Sequence, residues 1–353
     1  MPLPPPAAAL AERTLALVDL PSPSREEGLV HDYLRDQVRL PLVHDDGESL
    51  VYAKRSGRPL VLLAGHTDTV PPQGNLPGRI EDGAVHGLGA ADMKGGLAVM
   101  VELARLAAEA ELDYDLALLF FPREEVGPDE NPLPALFEAV PLVGEAALVI
   151  CLEPTDNTLQ LGCLGNLAAR VVFEGRSAHS ARPWLGVNAI ALALEGLQGV
   201  LRSEPVDVDV DGLVFREVLS VTQIHGGIAR NVIPARCEAV LNFRYAPGRS
   251  MADAEARVRE LVGRNLEVIE HAPAAHVPRR SPLLQRLQRV GGLELQPKQA
   301  WTNVADFAAR GLDAVNFGPG ATRYAHAADE RVEIAELVRT YDALARFLGS
   351  VPA

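Results

Sequence analysis

The sequence predicts an α/β protein: a catalytic domain with a mixed sheet flanked by helices, interrupted by a smaller ferredoxin-like α+β domain. Three observations predict this class. The apolar runs "PLVLLAG", "YDLALLFFP" and "EAALVICLEP" alternate with helical patterns over the first 154 residues, as in a sheet covered on both faces. Near residue 165 the pattern changes to strand, helix, strand, strand, helix, strand, the ferredoxin-like order. From about residue 275 helix–strand alternation returns. The expected division is therefore 1–165 and 276–353 for the larger domain and 166–275 for the insert.

In chain order, 7–19 and 25–38 read as helices; "LVHDYLRDQV" carries apolar residues at 29, 30, 34 and 38, close to helical spacing. The strand "PLVLLAG" follows, then a strongly amphipathic helix over 93–110, a strand over 114–122 and a third strand over 145–154. In the insert, "NLAARVVFEG" leads to a helix at about 187–202. The half-buried strands "FREVLSVTQIHGG" and "ARCEAVLNFRYAP", a helix at 250–264 and the strand "NLEVIEHAP" complete it. "DAVNFGPG" is a strand with a glycine turn, and 329–349 is the last helix.

Bulk properties narrow the function. A hydrophobic fraction of 48% over 353 residues supports a sizeable core. A formal net charge of −14 argues against a nucleic-acid partner, because phosphate binding needs a basic surface. Three cysteines, Cys151, Cys163 and Cys237, with no C-x-x-C pair, read as thiols in a reducing compartment. The start "MPLPPPAAALAERTL" lacks a basic n-region, and no apolar run reaches the roughly 18 residues of a membrane helix. A cytoplasmic protein with no membrane partner is expected.

The chemistry is concentrated at the strand ends. The first strand runs into His66 and Asp68, the next connection carries Asp92 in "GLGAADMKGG", the second strand runs into Glu124 and Glu125, and the third into Glu153. His326 follows another strand near the C-terminus. Ligand sites of open α/β sheets lie beyond the carboxyl ends of the strands. Singly, each residue has a plainer reading: a surface histidine, a solvated Glu-Glu pair, an N-capping Asp92. Together, carboxylates this close would repel without a counterion. Imidazole and carboxylate ligands without thiolate suit zinc, with cobalt or manganese as substitutes. The number of donors suits two ions about 3.5–4 Å apart sharing one carboxylate.

The segments "GHTDTVP", "HGLGAADMKGG", "EEVG", "LEPT", "GRSAHSARPWLGVNAI" and "GGIARNVIP" resemble the M20 family of metallopeptidases and aminoacylases, and the resemblance covers essentially the whole chain. "NVIPARCEAVLNFRYAP" and "WTNVADFAARGLDAVNFGPG" further resemble the actinobacterial-type desuccinylases acting on N-succinyl-diaminopimelate.

The resemblance implies the following roles. His66 and Glu153 bind one metal, Glu125 and His326 the other, and Asp92 bridges them through a residue whose peptide bond to Met93 is cis. Glu124 is the general base, and Asp68 holds the His66 ring through its second nitrogen. The insert is a lid that builds a homodimer. From it His179 reaches the partner's site to hydrogen-bond an oxyanion, and Asn231 helps bind substrate. Arg244 and the backbone amides of Gly318 and Gly320 hold substrate carboxylates, with Arg182 and Arg323 as further candidates. On composition alone, His179 is a histidine in a serine-rich loop and Arg244 a strand arginine paired with an acid.

The implied reaction is hydrolysis of the amide of a small N-acyl amino acid. "LGCLGNL" lacks an arginine that some desuccinylases carry there. N-acetylornithine, an acylated lysine or a dipeptide therefore remain alternatives to N-succinyl-LL-diaminopimelate, as does a non-catalytic relative. A phosphoesterase would want a lysine cluster at the site, and there is none in the sequence around it.

Overall fold

The computed structural model describes residues 6–263 and 266–349. They form two compact units: the described residues of Met1–Leu161, Pro278–Gln296 and Asp306–Ala353, and those of Gly162–Val277 and Pro297–Ala305. Residues 264 and 265, where an expected helix ends and an expected strand begins, lie outside the described residues.

The first unit opens with α1 (Ala7–Val18) and α2 (Gly28–Gln37). In α1, residues 7, 10, 11, 14, 17 and 18 are buried, the stripe its alanine-leucine spacing dictates. Then come β1 (Leu42–Asp45), β2 (Leu50–Lys54), β3 (Leu60–His66), and the short β4 (Arg79–Glu81) and β5 (Ala84–His86). Helix α3 (Gly95–Glu109) starts two residues later than expected, because Asp92 and Met93 have non-helical backbone angles within a π-type turn over Ala90–Lys94. β6 (Asp115–Phe121), α4 (Leu133–Ala139), β7 (Leu148–Cys151) and β8 (Leu159–Leu161) complete the segment.

The second unit holds β9 (Gly165–Glu174), β10 (Ala178–His179), α5 (Ala189–Gly196), α6 (Gln198–Leu201), β11 (Val206–Val210), β12 (Leu213–Gly226), β13 (Val232–Ile233), β14 (Arg236–Tyr245), α7 (Met251–Val262) and β15 (Leu266–Ala272). Its five-stranded sheet has the order β11-β12-β14-β9-β15, and every pairing is antiparallel. Without the hairpin strand β11, the order is second, third, first, fourth, with helices after the first and third strands: the ferredoxin-like arrangement. Alternate residues of β14 (Cys237, Ala239, Leu241, Phe243 and Tyr245) are buried. They pack in one cluster with Ala189, Ala193 and Leu197 beside α5 and with Ala254 and Val258 of α7. Residues 297–305 join this unit through bonds such as the Leu164 amide to the Ala300 carbonyl, 3.3 Å.

The chain then runs through α8 (Pro282–Gly291), β16 (Leu295–Pro297), α9 (Val304–Ala308), β17 (Ala314–Asn316), β18 (Arg331–Glu333) and α10 (Ile334–Phe347). The last helix starts at Ile334 rather than 329, because residues 331–333 pair with β5. The large sheet has the order β1-β2-β6-β3-β7-β17-β8-β16. Its centre, β6-β3-β7-β17, is parallel, whereas β1 with β2, β2 with β6 and β8 with β17 pair antiparallel. All seven residues of β3 and of β6 are buried, which their continuous apolar runs require. Among the described residues no helix is long and apolar enough to cross a membrane.

Candidate metal centre

The four parallel strands end at one edge of the sheet, and their register sets the level at which side chains emerge. His66 pairs with Phe121, and Ala64 with Cys151. Glu124 and Glu125 follow β6 by three and four residues, and Glu153 follows β7 by two. Asp92 arrives from the π-type turn before α3, and its peptide bond to Met93 is cis. Two glycines allow close packing here. A Cβ on Gly96 would lie 2.4 Å from the Leu152 carbonyl oxygen, and one on Gly318 2.3 Å from it, so the start of α3 and the loop after β17 press on the residue before Glu153.

Three groups of donor atoms form, each within 4.8 Å: His66, Glu124 and Glu125; His66, Asp92 and Glu153; and Asp92, Glu125 and His326. The last two share Asp92. His66 Nε2 lies 3.1 Å from Asp92 Oδ1 and 4.0 Å from Glu153 Oε1. His326 Nε2 lies 2.9 Å from Glu125 Oε2 and 3.5 Å from Asp92 Oδ2. Glu124 also reaches donor distance, so its role separates from that of Glu125 by chemistry rather than by distance.

Asp68 is the internal brace. The His66 Nδ1 lies 3.0 Å from the Asp68 main-chain carbonyl and 3.4 Å from its carboxylate. The carboxylate also accepts the amides of Glu124 (3.0 Å) and Glu125 (3.1 Å) and the Ser24 hydroxyl (2.7 Å). Burial pushes the Asp68 carboxyl up, but His66 and these donors prevail and hold it at about 2. Asp68 thus links the His66 ring to the amides of both glutamates.

The electrostatics fit a cation. Burial, then the neighbouring carboxylates, push Glu124 well above the carboxylate range, and burial likewise raises Glu125. The hydrogen bond to Glu125 leads the influences that raise His326 to about 9. Burial opposes the charging of His66, yet bonds to Asp68 and Asp92 raise it well above the usual imidazole range. Crowded carboxylates in low dielectric must share either protons or a positive ion, and all-oxygen and imidazole donors suit a divalent metal.

The glycine loop differs in part from expectation. The Gly318 amide donates to Thr155 Oγ1 at 3.1 Å and is buried, so it is engaged within the fold rather than open to a substrate carboxylate. Gly320 has a left-handed φ of +91° and lies against Ala91. Arg323 lies over the Tyr324 ring, 4.8 Å from its centroid.

Three contributors escaped the sequence reading. Ser24 has no motif signal. Arg123, just before Glu124, has a left-handed φ of 61°, uncommon outside glycine. Glu48 grips its guanidinium at 2.8 and 2.9 Å, and its Nε donates to the Glu130 carbonyl at 3.2 Å. Glu330 is buried and accepts the amides of Gly89, Ala91 and Asp92. Burial pushes its carboxyl up to about 7, against these donors.

In the second unit, three of the proposed residues come together. His179 pairs with Val232 across β10 and β13, the Ser180 amide donates to the Asn231 carbonyl at 2.9 Å, and the Arg182 amide to the His179 carbonyl at 2.8 Å. All three side chains are exposed. His179 Nδ1 accepts the Ala181 amide at 3.1 Å, which leaves the proton of a neutral ring on Nε2. Arg244 lies apart on β14, where its Nε donates to Asn242 Oδ1 at 3.0 Å. It helps line a cavity of about 450 Å³ with Leu164, Arg216 and Gln299.

Comparison with known proteins gives a consistent picture. The family description "Peptidase family M20/M25/M40" matches residues 62–350. The Mycobacterium tuberculosis protein named DapE is 39% identical over 346 residues, covering 96% of this chain and 97% of that protein. A succinyl-diaminopimelate desuccinylase of Corynebacterium glutamicum is 36% identical over 350 residues, 95% of each. Among solved structures, a tripeptidase of Staphylococcus aureus superposes with a TM-score of 0.80 at 21% identity, covering 97% of both chains.

Proposed function

The chain belongs to peptidase family M20/M25/M40, and from that premise we propose that it is a dinuclear zinc amidohydrolase that cleaves N-succinyl-LL-diaminopimelate to succinate and diaminopimelate. The observation that carries the chemistry is the pair of donor groups sharing Asp92. His66 and Glu153 would hold one ion, Glu125 and His326 the other, and Asp92 both; cobalt or manganese could substitute. Bound there, the ions would supply Lewis-acid polarisation and a lowered pKa for water.

The protein's own residues do the rest. The Glu124 carboxylate takes a proton from the attacking water, whose oxygen bonds to the amide carbon. As the tetrahedral oxyanion collapses, Glu124 delivers that proton to the leaving nitrogen and the C–N bond breaks. Glu124 lies beside these donor groups, where a carboxylate can hold the proton between the two steps. His179, through Nε2–H, donates to the oxyanion. Asn231, Arg182 and Arg244 bind the substrate's polar groups, together with Gly320 and Arg323 from the loop after β17.

We assign lid and dimerisation roles to the second unit. β11 covers β12 only over residues 213–217, while β14 pairs with it over 218–226. Among the described residues, the other edge of 218–226 has no strand partner, and Ile224 within it and Ile228 just after it are exposed. Such an edge favours pairing with a second copy by two-fold symmetry. Three buried cysteines with no disulfide suit the cytoplasm.

The substrate assignment rests on the two relatives similar along nearly their whole length. Zinc-loaded protein should be assayed on a panel of N-succinyl-diaminopimelate, N-acetylornithine, acyl-lysine and dipeptides. The proposal expects the succinyl substrate to have the highest kcat/KM. A higher value for any other member would reassign the substrate and leave the chemistry intact.

A further inference from the structure

We propose that Glu330 is a positioning residue of the metal centre: it fixes the turn that presents Asp92 and ties it to the segment that presents His326. The inference rests on the dinuclear reading above. Glu330 is 2% exposed. Its Oε2 accepts the Gly89 amide at 2.8 Å, and its Oε1 accepts the amides of Ala91 at 3.1 Å and Asp92 at 3.0 Å. The main chain adds a fourth link, from the Gly87 amide to the Glu330 carbonyl at 3.0 Å. Glu330 follows His326 by four residues, and its own amide donates to the Ala327 carbonyl at 3.1 Å.

Two properties make this more than ordinary packing. The amides that Glu330 gathers belong to the π-type turn and to Gly89 just before it, and within the turn Asp92 and Met93 leave helical geometry. Helix α3 itself begins only at Gly95, and the first N–H groups of a helical segment have no partner within it. One carboxylate therefore satisfies three buried donors, including the amide of the residue shared by both metal-binding groups. Removing its charge leaves donors facing a poorer acceptor, and a buried unsatisfied amide is costly. The Asp92 side chain would then lose its fixed direction, and groups that orient metal ligands typically carry about 10–100-fold in metal affinity or activity.

The test compares wild type, Glu330→Gln and Glu330→Asp as metal-free and cobalt-loaded proteins. Cobalt titration reads stoichiometry, affinity and the d–d spectrum, while circular dichroism and melting of the metal-free proteins read the fold. The expected result is a folded Glu330→Gln with cobalt affinity lower by about 10–100-fold and an altered spectrum, partly rescued in Glu330→Asp. Unchanged affinity and spectrum in Glu330→Gln would overturn the inference, even with a lower melting temperature. If Glu330→Gln does not fold, Glu330→Asp decides by the same readings: weaker binding supports the inference, wild-type binding overturns it. A wild type that binds no cobalt would overturn the dinuclear reading itself, a separate failure.

Discussion

Asp68 accepts the backbone amide of Glu124 at 3.0 Å. The residue that steadies His66 thus also fixes the start of the loop carrying both glutamates, and two strand ends are coupled through one buried carboxylate. Asp68→Ala is expected to lower kcat by about 10–100-fold and to weaken metal binding. Steady-state kinetics at saturating zinc and a competitive chelator titration check this; unchanged values in both would remove the bracing role.

Glu124 and Glu125 should separate by chemistry. Glu124→Gln keeps the shape but cannot take a proton, so kcat should fall by about 10²–10⁴-fold with both metals retained. Glu125→Ala should instead weaken one metal. Metal analysis alongside kinetics distinguishes them, and zinc loss in Glu124→Gln would make Glu124 a ligand.

Much of this arrangement was legible in the sequence because fully buried parallel strands leave continuous apolar runs, and β3 and β6 are such runs. The residues that follow such runs are then confined to one edge of the sheet. The strands β1 and β2 were missed because they are only four and five residues long and neither shows period-two burial. Glu330 was hidden by reading 329–349 as one helix, which made it a first-turn surface acid. Its three partners are backbone amides of a turn some 240 residues earlier in the chain, and amides leave no trace in side-chain pattern. The Gly318 amide was illegible for a related reason: the motif reveals a glycine, but not that its N–H donates to Thr155.

Asp115 gives a pH prediction away from the metal centre. Burial raises its carboxyl, but the Ser56 hydroxyl and amide, the Gly57 amide and Arg55 outweigh that and hold it below the usual range. A depressed acid stabilises the fold above its unfolded pKa and loses that contribution as pH falls through its folded pKa. Asp115→Ala should cost about 1–3 kcal/mol near neutrality. The gap from wild type should shrink below about pH 4. Denaturant unfolding across pH checks both size and sign; a gap that widens on acidification would contradict it.

His179 should act across a dimer. His179→Ala is expected to lose about 10²–10³-fold in kcat without losing zinc. Mixed with inactive Glu124→Gln under conditions that exchange subunits, it should recover activity, because some heterodimers carry one site with both residues intact. Differently tagged chains that co-purify without recovered turnover would exclude action in trans.

The central claim, amide hydrolysis that depends on the cluster around Asp92, is tested most directly by measuring diaminopimelate release from N-succinyl-LL-diaminopimelate while metal-free protein is titrated with zinc. Release should be negligible without metal and recover as zinc is added, with two tightly bound ions per chain at saturation and no recovery in Asp92→Ala. Release that is as fast in the metal-free protein, or in Asp92→Ala, as in the zinc-loaded wild type would contradict that claim.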